Sequence, residues 1–330
     1  MYSKIRNFKL GNTISGVLLM VLHAASMAAL YIAAKNLMHD IPPKQVAFLY
    51  KFSILIAVIP WCMKGGFINN LRTTRLGVHI TRGTFSVLGS LCFFYGLSKV
   101  EAMDAAAVAY LENALVLTAG VLYFKERLTF AKVVLITFGV VGVLFVIKPG
   151  FQEFNNHYIY LFLALVFWAI NNVAIKILGK TERTKPQLFY TMLVGSILSF
   201  QLALKVWQPL EFAHLKYIAF LSIFHIIHVV ALFKAFKFAD VSIVMPFDYL
   251  RLIFTGVLGF MFLGEVPDKY SIIGYCLIIF GGLYLIQSEA KKKGFTQESE
   301  RKALAIEEVH RKRRERIKMK KKMAKIEKDK

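Results

Sequence analysis

The chain has 330 residues, 57% of them hydrophobic, with 29 phenylalanines and a formal net charge of +22. Its mean hydropathy of +0.54 is too high for an ordinary soluble domain or a disordered segment, so the composition points to a membrane protein. A large positive charge would suit a nucleic-acid partner, but its distribution argues against one: residues 291–330 hold 17 Lys or Arg against 7 Asp or Glu, and the rest lies in short segments between apolar runs.

Apolar windows of roughly 18 to 23 residues, the length that crosses a hydrocarbon core of about 30 Å, recur along the chain. The first, 12–34, follows the basic start MYSKIRNFKLG. It is longer than the core of a secretory signal and has no small-x-small cleavage site, so it reads as a transmembrane helix. Windows at 46–63, 79–98, 104–124 and 130–147 follow, and after a break come 157–178, 188–207, 214–233, 241–263 and 270–286. The cations between windows alternate in number. Clusters such as Lys64, Arg72, Arg75 and Arg82, or Lys176, Lys180, Arg183 and Lys185, alternate with sparse segments holding only Lys99, Lys148 or Lys269. By the positive-inside rule this places both termini in the cytoplasm.

Cys62, Cys92 and Cys276 lie in or beside the apolar windows without metal-like spacing, so neither a disulfide framework nor a metal site is expected. No H-E-x-x-H, G-x-S-x-G, paired-aspartate or phosphate-binding glycine motif is present. A membrane-embedded enzyme is therefore disfavoured, and no cofactor is called for. No ATP-binding motif is present either.

An internal repeat organises the ten windows. At an offset of 139, Tyr110 meets Tyr249, Leu111 meets Leu250, Gly120 meets Gly259, Glu126 meets Glu265, Gly142 meets Gly281, Leu144 meets Leu283 and Ile147 meets Ile286. Ala28 and Lys35 meet Ala169 and Lys176 at an offset of 141. Each half holds five windows, an odd number, so the second half must enter the membrane in the opposite sense. The expected fold is an all-α polytopic membrane protein: a cytoplasmic start (1–11), two inverted five-helix repeats (12–147 and 157–286) and a basic cytoplasmic tail (290–330). Such carriers keep their substrate near the midplane, where the halves meet.

HITRG (79–83), FYGLS (94–98), FKERL (124–128), KAFKFADVSIVMPFDYL (234–250) and LGEVPDKYSIIG (263–274) resemble the EamA-type drug/metabolite transporter superfamily, over nearly the whole chain to about residue 288. The resemblance implies a central cavity and alternating access in a bacterial inner membrane. The His-x-x-Arg-Gly element and the Pro-Asp-Lys after Glu265 are most similar to the S-adenosylmethionine uptake transporters of intracellular bacteria. An amino-acid, metabolite or drug exporter of the same superfamily is the alternative. The chain departs from the family pattern at Tyr50, with Lys51 following where an arginine is common, and at Ala107, opposite Pro246.

The charged positions within the windows are the candidate site. Glu112 corresponds through the repeat to Arg251, at matched depth in the fourth and ninth windows, so the two are expected either to pair or to line the cavity together. Asp248, at i−3 from Arg251, could join them. Tyr110, Tyr249, Trp168, Asn171 and Asn172 are the further candidates for substrate contact or gating, with helix–helix packing as the other reading. His225 and His228 share a helix face and are candidates for proton coupling, or else hydrogen-bonded core residues. Pro246 should loosen the helix one turn before Arg251. Glu126 and Glu265 read as structural carboxylates holding amides at the start of the next helix, and Arg82 as an anchor reaching for lipid phosphate. The expected partners are a small-molecule substrate and anionic lipid head groups at the basic tail, with a homodimer left open and nucleic acid excluded.

Overall fold

The computed structural model describes residues 2–64, 66–112, 114–115, 118, 128–148, 155–178, 182–239, 241–288 and 291. Among these every regular element is helical. In chain order they are α1 (Tyr2–Leu37), α2 (Pro43–Met63), the short α3 (Phe67–Leu71), α4 (Leu76–Leu97), α5 (Ala102–Ala109), α6 (Phe130–Ile147), α7 (His157–Leu178), α8 (Thr184–Leu204), α9 (Phe212–Phe238) and α10 (Val241–Val244). A 3₁₀ turn (Met245–Tyr249) leads into α11 (Leu250–Leu263), and α12 spans Lys269–Ser288.

Among the described residues, eight helical segments are long and apolar enough to cross a membrane. Of the ten windows expected, the third is the 22-residue α4, more polar through His79, Arg82, Ser86 and Ser90. The fourth begins with α5, and most of its remainder lies outside the described residues, as do Glu126 and nearly all of the basic tail. Local sequence sets the helix ends. Pro43 opens α2, where a missing N–H is tolerated, and Glu211 and His214 form a reciprocal capping box at the start of α9. Gly264, at φ 68°, ends α11 in the left-handed region that glycine adopts without strain. Phe233 on α9 and Phe260, Met261 and Phe262 on α11 stay uncovered, as side chains facing hydrocarbon do.

The main packing partners join one half of the sequence to the other: α1 lies along α9, α4 along α7, α2 along α8, and α1 also against α11. Exchanging the halves by the repeat turns the α1–α9 contact into the α7–α4 contact and returns α2–α8 to itself, as two equivalent repeats require. Apolar attraction between helices is weak in lipid, so close approach at small residues has to supply the packing. A Cβ on Gly142 of α6 would stand 2.7 Å from the Gly274 carbonyl oxygen of α12, and one on Gly89 of α4 would stand 2.5 Å from Trp168 Nε1 of α7.

Glu265 ties together one end of the bundle. It pairs with Lys35 of α1, and its Oε2 accepts a 2.8 Å hydrogen bond from the Ala102 amide. The sequence reading of Glu265 as an amide-holding carboxylate holds, with one correction: the amide opens α5 in the other half of the chain, not the next helix. Asp104, one turn in, accepts from Tyr158 at 2.7 Å and from Tyr275 at 2.6 Å. Arg82 does not reach outward to lipid. Its Nη1 donates to the Gln187 carbonyl at 3.0 Å, because α8 offers an acceptor within reach of the side chain.

Gly142→Ala is expected to lower the thermal midpoint of the detergent-solubilised protein by an amount matching overpacking of about 1–3 kcal/mol, since backbone must move to admit the methyl. Gly77→Ala, whose added methyl meets nothing within 4 Å, should leave the midpoint unchanged or raise it slightly. Thermal unfolding followed by circular dichroism compares the two.

Candidate functional site

Pro246 shapes the site. It has no N–H to give the preceding turn, and its ring crowds the carbonyl four residues back. The expected ninth helix is accordingly divided into α10, a 3₁₀ turn and α11. The tighter winding brings side chains three residues apart nearly into line, so that Arg251 Nη2 lies 3.5 Å from Asp248 Oδ2. Both residues are largely withdrawn from solvent, with side-chain exposures of 13% and 12%.

Tyr110, at the C-terminal end of α5, joins this pair from the other half. Its hydroxyl donates to the Asp248 carbonyl at 2.7 Å and accepts from Arg251 Nε at 3.2 Å. The guanidinium carbon lies 4.3 Å from the centroid of the same ring, within cation–π range. Tyr249 stacks on Tyr110 with centroids 4.8 Å apart and planes 15° apart. The two tyrosines matched by the repeat thus face each other as a flat aromatic pair beside the buried charges.

Glu112 is not the ion-pair partner of Arg251. It accepts instead from Asn172 Nδ2 at 2.5 Å. The 3₁₀ turn already hands Arg251 a carboxylate on its own helix, and α7, packed against α5, presents Asn172 to Glu112. Asn171 Oδ1, on the same turn of α7, is buried with no hydrogen-bond partner among the described residues. Trp168 sits over Gly89 at the α4–α7 contact and reaches the cluster through a run of rings, Trp168 to Phe93 at 5.1 Å and Phe93 to Tyr31 at 5.0 Å.

His225 and His228, one turn apart on α9, contact each other. His228 Nε2 is 3.1 Å from His225 Nδ1, which is 2.7 Å from the Tyr50 hydroxyl. The residue that joins them to the charges is His23 of α1, which the sequence does not single out. Its Nδ1 lies 2.9 Å from the His228 carbonyl and its Nε2 lies 3.3 Å from Asp248 Oδ1. No local signal identifies it, since both contacts span more than 200 residues and the repeat places Ala164 opposite it. Lys51, which follows the departure at Tyr50, is buried in α2 and donates to Ser86 at 3.0 Å, with no carboxylate among its described contacts. No group of three or more potential metal ligands occurs among the described residues.

Comparison with known proteins agrees with this architecture. The EamA-like transporter family profile matches residues 14–148 and 156–287, once for each half. An S-adenosylmethionine uptake transporter of Rickettsia prowazekii is 27% identical over 256 residues, covering 78% of this chain and 87% of that protein. A pseudopaline exporter of Pseudomonas aeruginosa is 25% identical over 287 residues, covering 85% and 98%. A crystal structure at 20% identity superposes with a TM-score of 0.58, covering 84% of this chain and 97% of its own, which bears on the fold alone. With eight helical segments able to cross a membrane and a family profile spanning both halves, this multi-pass integral membrane protein of the bacterial inner membrane belongs to the EamA-like transporter family.

Proposed function

We propose that the chain is a ten-helix secondary carrier of two inverted five-helix repeats, both termini cytoplasmic, that takes up S-adenosylmethionine by alternating access. The observation that carries this reading is the buried Arg251–Asp248–Tyr110 cluster, to which both halves of the chain contribute. Charges at this depth cost about 2.5–3.5 kcal/mol each on insertion scales, and they are retained where function needs them.

The substrate chemistry suits the residues present. S-adenosylmethionine carries a carboxylate, an ammonium, a sulfonium and an adenine ring. Arg251 offers a planar fork for the carboxylate, and Glu112 and Asp248 offer anions for the two cationic groups. Tyr110 and Tyr249 present aromatic faces that attract a sulfonium or stack with adenine, and Asn171 has an amide oxygen free to accept. Trp168 supports the site through Phe93 and Tyr31, and Asn172 positions Glu112. The similarity to the Rickettsia uptake protein favours this substrate, and the similarity to the pseudopaline exporter marks export of another amino-acid-like metabolite as the competing outcome. The basic tail would rest on anionic lipid, each cation near the surface contributing about 1 kcal/mol.

Uptake of radiolabelled S-adenosylmethionine into proteoliposomes is the direct test. Neither uptake nor counterflow by correctly inserted protein would exclude this substrate. Arg251→Ala should reduce uptake at least about tenfold, and it leaves Asp248 as an uncompensated buried charge, a loss of about 3–5 kcal/mol in stability. Combining Arg251→Met with Asp248→Asn removes both charges and should recover much of the thermal midpoint without recovering transport. Tyr110→Phe keeps the ring but loses both hydroxyl contacts, and it should raise the apparent KM more than it lowers the maximal rate.

A further inference from the structure

Arg251 is a matched cation, with the Asp248 carboxylate beside it and the Tyr110 hydroxyl and ring against its guanidinium. Lys51, near the middle of α2, is not. It is 3% exposed, and its described hydrogen bond is the one to Ser86 Oγ at 3.0 Å. An ammonium has three hydrogens, so two have no acceptor among the described residues. The buried Ser86 hydroxyl, which accepts from Lys51, makes no described bond with its own hydrogen. Arg82 lies one turn earlier on the same face of α4. Its Nη1 is used on Gln187, while its Nε is buried with no acceptor among the described residues. The neighbouring charge that acts on Lys51 is that of Arg82, and it has the same sign.

This corner of the bundle is therefore rich in donors and poor in acceptors, the reverse of a site for a cation. A buried ammonium without a counter-charge is costly, and an oxyanion supplies both the missing charge and the missing acceptors. The lysine stem is held in place from α8, where a Cβ on Gly195 would stand 3.4 Å from Lys51 Cδ. Polar side chains also link the corner to the Arg251 cluster. Tyr50, next to Lys51, has its hydroxyl 2.7 Å from His225 Nδ1, which is 3.1 Å from His228 Nε2. The His228 carbonyl lies 2.9 Å from His23, whose other ring nitrogen is 3.3 Å from Asp248. Lys51 thus borders the same polar interior as the proposed substrate site.

We propose that Lys51 and Ser86 form a subsite for the substrate carboxylate, an inference that rests on the carrier reading above. In the conformation described, Arg251 is committed to Asp248 and Tyr110, so the carboxylate is received at Lys51; Arg251 takes it when its pair with Asp248 opens. At the subsite the carboxylate accepts from Lys51 Nζ and from the Ser86 hydroxyl, with Arg82 adding attraction from the next turn of α4. The cationic groups of the substrate stay with Glu112 and Asp248. A lysine suits a group that must be released again, because its ammonium is a point charge on a flexible stem rather than a two-pronged clasp.

Decarboxylated S-adenosylmethionine keeps the amine, the sulfonium and the adenine and lacks only the carboxylate. Equilibrium binding of both ligands to the detergent-solubilised full chain therefore isolates the carboxylate contact. The unaltered protein should prefer S-adenosylmethionine at least about tenfold, the effect of a hydrogen-bonded charge pair, and Lys51→Met should cut that preference to within about twofold. The same variant should change the affinity for the decarboxylated ligand by less than about twofold, because that ligand makes no contact with Lys51. Its thermal midpoint should be unchanged or higher, since an uncompensated buried charge has been removed. Ser86→Ala should lower the preference about threefold, and it decides the matter if Lys51→Met does not fold. A preference that survives the substitution overturns the proposal, as does an equal loss of affinity for both ligands. If S-adenosylmethionine does not bind at all, the substrate reading fails, and sodium acetate compared with sodium chloride at equal ionic strength tests the subsite by itself. Thermal stabilisation by acetate that disappears in Lys51→Met supports it; no stabilisation, or stabilisation that persists, overturns it.

Discussion

A guanidinium in a segment that crosses hydrocarbon must find compensation within the protein, and the environment of Arg251 is built around that requirement. Its charge is matched by Asp248 across a 3₁₀ turn, its Nε is taken by the Tyr110 hydroxyl, and its face is covered by the same aromatic ring. Three features follow. The ninth helix departs from α geometry at Pro246, the end of α5 is held against the start of α11, and α1 brings His23 to the second carboxylate oxygen. Removing the pair would leave these elements without the polar contacts that fix their register.

The packing around this centre interlocks the halves. Helices with neighbouring numbers are not the main partners; α1 finds α9, α4 finds α7 and α2 finds α8. Several buried polar groups find a partner in the other half of the chain, so the halves depend on each other for compensation. Tyr110 reaches Asp248, Glu112 reaches Asn172, and Lys35 reaches Glu265. A carrier that exposes its site to alternate sides has to move such contacts against one another, and polar contacts with alternative partners are easier to exchange than a close-packed apolar face.

Much of the fold was legible in the sequence, since window length, hydropathy and charge alternation follow directly from the thickness and polarity of a bilayer. Pro246 was legible as a break because its chemistry is local, and Tyr110 and Tyr249 were legible as a pair because duplication leaves matched residues at a constant offset. Glu112 and Arg251 were matched by the same offset, yet each took a nearer partner. The repeat relates depth and sequence position; it does not say which side chains touch. His23 stood out least, for its neighbours are distant in sequence and the repeat places Ala164 opposite it.

The sequence by itself thus determined an all-helical, membrane-spanning, duplicated chain with buried charges near the middle of its ninth apolar run, all consequences of one-dimensional pattern and solvent. Only the tertiary structure decided that Arg251 belongs to Asp248 and Tyr110, that Glu112 belongs to Asn172, and that His23 lies against the carboxylate. Those pairings depend on a 3₁₀ turn aligning residues three apart and on helices from opposite halves crossing at close range, and neither is encoded in local composition.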